Sequence, residues 1–155
     1  MKKISSLILV VVMMFSLIAC GGTLGEQGDV SVVIENRDGT YTVYKAYLED
    51  VAEKGEGVHG IIMYLMDREE NPLTADIVDS EYGAYVNAIG TLTPDTASGE
   101  FVSVYTSLEK DFGTWDGVGT VEYEGTTLTA SGVGLTSMSA EQGTVVLFRI
   151  ETYSY

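Results

Sequence analysis

The stretch that decides the fold is residues 30–48, VSVVIENRDGTYTVYKAYL. Val30, Val32 and Ile34 alternate with other side chains and would share one face of an extended strand. The Asp-Gly step that follows tolerates the positive φ angles of a tight turn. The run after the turn is rich in Thr, Val and Tyr, which suits a half-buried pleated surface. The stretch therefore predicts an N-terminal β-hairpin.

The next stretch has helical periodicity. Between residues 58 and 69 the apolar side chains recur at intervals of three and four, in one stripe formed by Val58, Ile61, Ile62, Leu65 and Met66. Asn71-Pro72 would end the helix. Gly60 inside it lowers helix propensity by about 1 kcal/mol, which packing must offset. A helix with a single apolar face needs a sheet to pack against.

The remainder of the chain predicts further strands, at residues 82–89, 101–107, 120–123 and 144–151. The last is strongly apolar and is predicted to be central. Residues 75–80 are interpreted as a short helix or loop, and the Gly-, Ser- and Thr-rich residues 126–138 as irregular. This order predicts an α+β fold, β-grasp-like, with the N-terminal hairpin and one main helix packed on a mostly antiparallel sheet.

The N-terminus has the layout of a secretory signal peptide. Met1-Lys2-Lys3 is positive, residues 4–15 are almost wholly apolar, and small residues precede Cys20. The segment Leu17-Ile18-Ala19-Cys20 resembles a bacterial lipoprotein signal, in which the cysteine thiol is acylated, for example with palmitate, and becomes the first residue. We therefore expect a signal peptide at 1–19, a lipidated Cys20 with a flexible tether over 20–29, and one domain over 30–155.

Charge and cysteine content limit the classes of partner. Without Lys2 and Lys3, 6 basic residues remain against 23 acidic ones, a net charge near −17. Such a protein is repelled by nucleic acid and by bare anionic membranes, so attachment to a membrane would depend on the lipid. Cys20 is the only cysteine, which excludes an intramolecular disulfide. The predicted location is extracytoplasmic, at the cell surface.

Four stretches of the domain together resemble a known family: the helix at 58–66, the segment EYGAYVNAI at 81–89, the strand FVSVYTS at 101–107 and the terminal strand behind Glu141-Gln142-Gly143. They are similar to bacterial extracytoplasmic domains related to the C-terminal domain of transcobalamin and intrinsic factor. The resemblance implies a β-grasp-like fold. It also implies, as an expectation, a module that covers one face of a corrinoid.

Catalytic and metal-binding patterns are scarce. His59 is the only histidine, and no nucleophile elbow, phosphate loop or His-Glu-x-x-His motif occurs. A glycosidase-like pair of carboxylates stays open only as a minor alternative, because so many acids place some close together by chance. The acids near the end of the helix fit no EF-hand spacing. We predict no enzymatic activity, no metal site and no cofactor.

Aromatic side chains are the best candidates for a binding site. Amphipathic rings at loops suit a flat organic ligand, a glycan or a protein partner. The candidate residues are Trp115, which is the first choice, and Tyr105, Tyr85 and Tyr82. For Tyr85 and Tyr105 the alternative is core packing with the hydroxyl at the rim. The sequence thus predicts a lipid-anchored module that captures a small ligand and could deliver it to a membrane transporter. The alternative is an adhesion module that recognises a protein or a glycan.

Overall fold

The computed structural model describes residues 27–153. The predicted signal peptide at 1–19, Cys20 and the tether as far as residue 26 lie outside the described residues. Within the described part of the chain, no helix is long and apolar enough to cross a membrane. Asp29, the last residue of the predicted tether, is bonded to the domain: its amide donates to the Ala46 carbonyl at 2.9 Å, and its carbonyl accepts from the Gly143 amide at 2.7 Å.

The described chain is α+β and mostly strand. In chain order its elements are β1 (Val30–Glu35), β2 (Tyr41–Ala46), α1 (Leu48–Val51), α2 (Gly57–Met66), β3 (Ala75–Ser80), β4 (Gly83–Ile89), β5 (Glu100–Thr106), β6 (Thr120–Tyr123), β7 (Thr126–Ala130) and β8 (Val145–Thr152). Short 3₁₀ turns precede and follow β5, at Thr96–Ser98 and Glu109–Asp111. The predicted hairpin, main helix and four later strands are confirmed, each within a few residues of its expected bounds.

Six strands form one sheet in the order β2-β1-β8-β5-β7-β6. β8 runs parallel to β1 and antiparallel to β5, and the other pairs are antiparallel. β8 is central, as its apolar composition predicted, and Val146, Leu147 and Phe148 are fully buried there. Both faces of β1 and β8 are therefore covered, as near-continuous apolar runs require.

The main core lies between one face of this sheet and helix α2. Val32, Ile34 and Phe148 from the sheet pack with Ile61 and Leu65 from the helix in one buried cluster. Five helix residues are buried, and they include Val58 and Ile62 of the predicted apolar stripe. A Cβ at Gly60 would lie 2.6 Å from the carbonyl carbon of Gly55. Gly60 thus lets the preceding loop pack directly on the helix.

A second, two-stranded sheet covers the remainder of this core. β3 pairs antiparallel with β4, with a register shift between Asp76 and Ile77. The interpretation of residues 75–80 as helix or loop was wrong: outward-facing Asp76 and Asp79 hide the alternation of a half-exposed strand. Ala84, Val86 and Ile89 of β4 are buried against the main core.

The six-stranded sheet curls strongly, and its concave face encloses a second core. Val33 and Leu147 of the central strands pack there with Tyr105, Tyr123 and Leu128. β7 was not predicted, because its sequence, Thr126–Ala130, is dominated by Thr; its inner residues Leu128 and Ala130 are nevertheless buried. The β6–β7 hairpin closes this core, so the sheet resembles an incomplete barrel.

Candidate ligand-binding groove

A groove of about 280 Å³ runs between β4 and β5. It follows the edge of β5 that is not occupied by β8. β7 pairs with β5 only at Tyr105 and Thr106, so the earlier part of this edge has no neighbouring strand within residues 27–153. The amide of Ser131 donates to the carbonyl of Val104 at 2.8 Å and ends the open stretch. The groove therefore borders an unpaired strand edge.

The floor of the groove is apolar because both strands alternate. In β4, Ala84 and Val86 point inward and are buried, whereas Tyr85 and Asn87 point outward. In β5, Val102 and Val104 belong to the main-core side but are only half-buried, since the groove lies above them. Together with Leu135, these valines provide a dry surface for the apolar part of a ligand.

Trp115 and Tyr85 stand at this groove. Both line it, and their side chains are 52% and 51% exposed. They are 30 positions apart in the sequence and come from different elements, a loop and a strand. The structure thus brings together two of the four residues predicted for binding. Rings that are half exposed over an apolar floor can stack on a planar ligand.

The position of Trp115 is fixed by Gly113. A Cβ added at Gly113 would lie 2.1 Å from Cζ3 and 2.3 Å from Cη2 of the indole, so the six-membered ring rests directly on the glycine backbone. The Gly113 amide donates to the Ala130 carbonyl at 2.8 Å, which holds this backbone against β7. The indole is therefore supported at Gly113, and about half of the side chain is left exposed.

A buried carboxylate stabilises the same loop. Asp111 is 5% exposed, and its Oδ2 accepts a hydrogen bond from the Ser139 amide at 2.7 Å. The Asp111 carbonyl accepts from the Gly132 amide at 2.9 Å. These bonds connect the Trp115 loop to residues 132–139, several of which line the groove. The Trp115 platform is thus built on ordered backbone rather than on an isolated loop.

A neighbouring depression of about 460 Å³ continues the groove along β5 and shares Tyr85, Val86, Phe101 and Val102 with it. Here Phe101 stacks on Tyr153 with ring centroids 4.4 Å apart and an interplanar angle of 24°. Tyr153 was not predicted from the sequence. It reaches Phe101 through the antiparallel register of β5 with β8, which places Glu100 opposite Thr152 and is visible only in the folded chain.

Tyr105 lies elsewhere. It is on the opposite face of the sheet, 3% exposed in the second core, and its hydroxyl donates to Glu151 Oε1 at 2.5 Å. Burial, reinforced by the hydrogen bond to the Glu151 carboxylate, raises the pKa of Tyr105 to about 12. The structure therefore does not bring Tyr105 to the groove and gives it a core position instead.

Tyr82 is also outside the groove lining. It lies in the turn between β3 and β4 and is 84% exposed. Its amide donates to Ser80 Oγ at 3.2 Å, and Ser80 Oγ in turn donates to the Gly83 carbonyl at 2.7 Å. Tyr82 is a projecting ring at the tip of a well-formed turn, without a second surface that would enclose a ligand.

The acidic residues near the helix end do not converge. Asp67 pairs with Lys54 at 2.7 Å, and Asp76 accepts a hydrogen bond from Asn87 at 2.7 Å. Within residues 27–153, no group of three or more His, Cys, Asp or Glu side chains could hold a metal ion. His59 lies half-buried in the first turn of α2.

Comparison with known proteins adds a fold likeness. No protein-family model matches the chain, and no curated protein matches it. A crystal structure from Ruminococcus gnavus ATCC 29149, described as a "putative metal binding protein", superposes with a TM-score of 0.54 at 11% sequence identity. The superposition covers 83% of this chain and 100% of that chain. At this identity the likeness concerns the fold alone.

Proposed function

We propose that this protein is a lipid-anchored extracytoplasmic binding module that captures a small organic ligand in the β4–β5 groove. One observation carries the proposal: Trp115 and Tyr85 present half-exposed rings over the apolar floor formed by Val86 and Val102. The indole is held in place by Gly113 before any ligand arrives. A site that is already ordered loses less entropy on binding, which favours affinity.

The anchoring part of the proposal rests on Cys20. It follows Leu17-Ile18-Ala19 at the end of an apolar N-terminal segment. The domain itself is strongly acidic and has no electrostatic attraction to an anionic bilayer. Acylation of Cys20, with palmitate among the fatty acids attached, would hold the domain at the outer face of the membrane. There it could deliver its ligand to a transporter.

The strand order supports a β-grasp assignment for the central part of the fold. β2, β1, β8 and β5 are neighbours in that order, the N-terminal and C-terminal strands are the parallel pair, and α2 packs across them. β6 and β7 extend this unit on one side. The assignment agrees with the resemblance to transcobalamin-like domains, and a corrinoid is therefore the first ligand to test.

The description of the Ruminococcus gnavus protein directs attention to metals, but this chain offers a different site. Its described acids form no cluster of the size that a metal ion requires, whereas its aromatic groove is well formed. We therefore place an organic molecule, rather than a bare metal ion, in the groove. Titration with divalent cations provides the direct comparison.

The experiment uses Trp115 as its own reporter, since it is the only tryptophan. The full-length chain in detergent is titrated with a corrinoid, and the fluorescence of Trp115 and the visible spectrum of the ligand are recorded. We expect saturable quenching that Trp115→Leu or Tyr85→Ala weakens, measured in the variants through the ligand spectrum. Tyr47 is an exposed ring that does not line the groove, so Tyr47→Ala is the matched control and should bind normally.

Absence of saturable binding up to tens of micromolar, roughly the weak end of useful capture, would contradict the corrinoid assignment. A protein or glycan ligand would instead show as a partner whose retention depends on the same two rings. If neither small ligands nor macromolecules respond to Trp115→Leu, the groove is not the binding site.

A further inference from the structure

The groove is free of basic groups. No Lys, Arg or His lines it or the adjoining depression within the part of the chain that the structure describes. Four of the described basic side chains form ion pairs elsewhere: Arg37 with Glu100, Lys54 with Asp67, Lys110 with Glu141, and Arg149 with Glu35. Within residues 27–153, Glu100 is the one acid in these two linings, and it is paired with Arg37. The domain as a whole nevertheless has a large excess of acids, and its field attracts cations and repels anions.

The exposed groups at the groove are aromatic rings rather than carboxylate clusters. The rings of Trp115 and Tyr85 are half exposed there, and aromatic rings carry the negative part of their quadrupoles on their faces. Organic cations bind such faces, and tryptophan is the strongest partner. A small metal ion is different, because it needs several oxygen ligands to replace its water. The described residues provide no such set.

From these two features we infer that the groove selects ligands that carry a soft organic cation, with a quaternary ammonium group as the simplest example. This rests on the proposed function and names the ligand class for the same site. The charged head lies against the exposed part of the indole, and the apolar part of the ligand lies on Val86, Val102 and Leu135. Anionic ligands of the same shape are disfavoured by the net negative charge of the domain.

Charge can be separated from shape with two probes. Choline and its carbon analogue, the dimethylbutanol with a tert-butyl group in place of the trimethylammonium group, have nearly the same size. Only choline is charged. Calorimetric titration of the full-length chain should show choline binding about two- to fivefold more tightly than the neutral isostere, the size expected for a cation–π contact at a half-exposed ring. Equal affinities, or tighter binding of dimethylbutanol, would overturn the inference.

Because Trp115 is the only tryptophan, its ring can be replaced selectively. This second test distinguishes a cation–π contact from a merely structural role of the ring. Replacement of Trp115 by fluorotryptophans of increasing fluorine content lowers the ring quadrupole without changing the shape of the side chain much. Choline affinity should fall stepwise along the series, whereas dimethylbutanol affinity should stay constant. A flat choline series would overturn the inference. Circular dichroism of each variant verifies that the domain stays folded.

The two proposals fail in different ways. If a corrinoid or another neutral ligand binds through Trp115 and choline does not, the capture function stands and the selection for cations is wrong. If no ligand responds to Trp115→Leu, both are wrong. If choline binds equally well to Trp115→Leu and to the native chain, its site is elsewhere and the inference is wrong.

Discussion

The ring of Tyr41, in β2 at one edge of the main sheet, contacts the ring of Tyr123, in β6 at the other edge. Their centroids are 5.1 Å apart, and the planes meet at 76° in an edge-to-face contact. Five strand-to-strand steps separate these residues within the sheet. Their contact is possible only because the sheet curls until its edges meet. Side chains, rather than a ladder of backbone hydrogen bonds, close the second core.

This contact predicts energetic coupling between the two edges of the sheet. Tyr41→Ala and Tyr123→Ala should each destabilise the domain, and the double variant should lose less than the sum by about 0.5–1.5 kcal/mol, the usual worth of an aromatic pair. Urea denaturation of the full set measures this. The same cycle between Tyr123 and Tyr47, which is exposed elsewhere, should give no coupling. Coupling near zero for Tyr41 would mean that the edges do not meet in solution.

Gly113→Ala tests whether the glycine fixes the Trp115 platform. The new methyl group would occupy the place of the indole, so the ring must move off its support. We expect a red-shifted Trp115 emission and weaker ligand binding. The change in unfolding free energy should stay within about 1 kcal/mol, because a half-exposed ring can move into solvent. Thr114→Ala, at the exposed neighbouring position, is the control. Unchanged emission in Gly113→Ala would contradict the platform.

Tyr105 predicts a loss of stability at high pH. Its pKa is raised from 10.0 to about 12, by burial first and then by the Glu151 carboxylate. The folded state therefore favours the neutral phenol, and this contribution is complete below 10.0 and is lost as the pH rises towards about 12. The measurement is the unfolding free energy across that window for the native chain and for Tyr105→Phe. The decline should be flatter in Tyr105→Phe. An equally steep decline in this variant would mean that other groups cause the loss of stability.

Glu100 predicts the opposite behaviour in acid. The Arg37 guanidinium, which donates to both carboxylate oxygens at 2.9 and 2.6 Å, lowers the pKa of Glu100 to about 2. The lowered pKa contributes stability that is complete above the ordinary value of 4.5 and is lost as the pH falls towards about 2. NMR titration of the Glu100 carboxyl should show this shift. Arg37→Gln should return the pKa towards 4.5, and high salt should reduce the shift, since the pair is near the surface.

Cys20 predicts the location of the protein in the cell. Cys20→Ser should remove acylation, which metabolic labelling with palmitate measures, and should leave the protein unprocessed or released. The folded domain should be unaffected, so the thermal unfolding midpoint of the purified protein serves as the control. A Cys20→Ser protein that still incorporates palmitate and stays in the membrane fraction would contradict the anchor.

The elements predicted from the sequence are those whose burial is visible locally. The alternation of Val30, Val32 and Ile34 and the stripe from Val58 to Met66 each depend on one element packing on one core. β3 and β7 were missed because their exposed positions carry Asp and Thr, which weaken the contrast between the faces. The curl of the sheet depends on side chains at its two edges, and no local pattern shows it.

The candidate groove was half predictable for a similar reason. Trp115 lies between glycines in a loop, which suggested exposure, and Tyr85 alternates with buried Ala84 and Val86. These two rings share a groove because β4 packs beside β5. This is a tertiary contact, which the local sequence does not show. Tyr105 was predicted together with them because it is aromatic, but its position on β5 places it in the second core.

The parallel pairing of β1 with β8 has a consequence for an anchored protein. The tether enters at Val30, and β8 begins beside it at Val145, whereas the Phe101–Tyr153 stack lies where β8 ends. The six residues of β1 measure roughly 20 Å. The Phe101–Tyr153 end of the groove thus lies about one strand length from the point where the tether joins the domain. With a lipid on Cys20, ligand could reach this end while the domain stays attached to the bilayer.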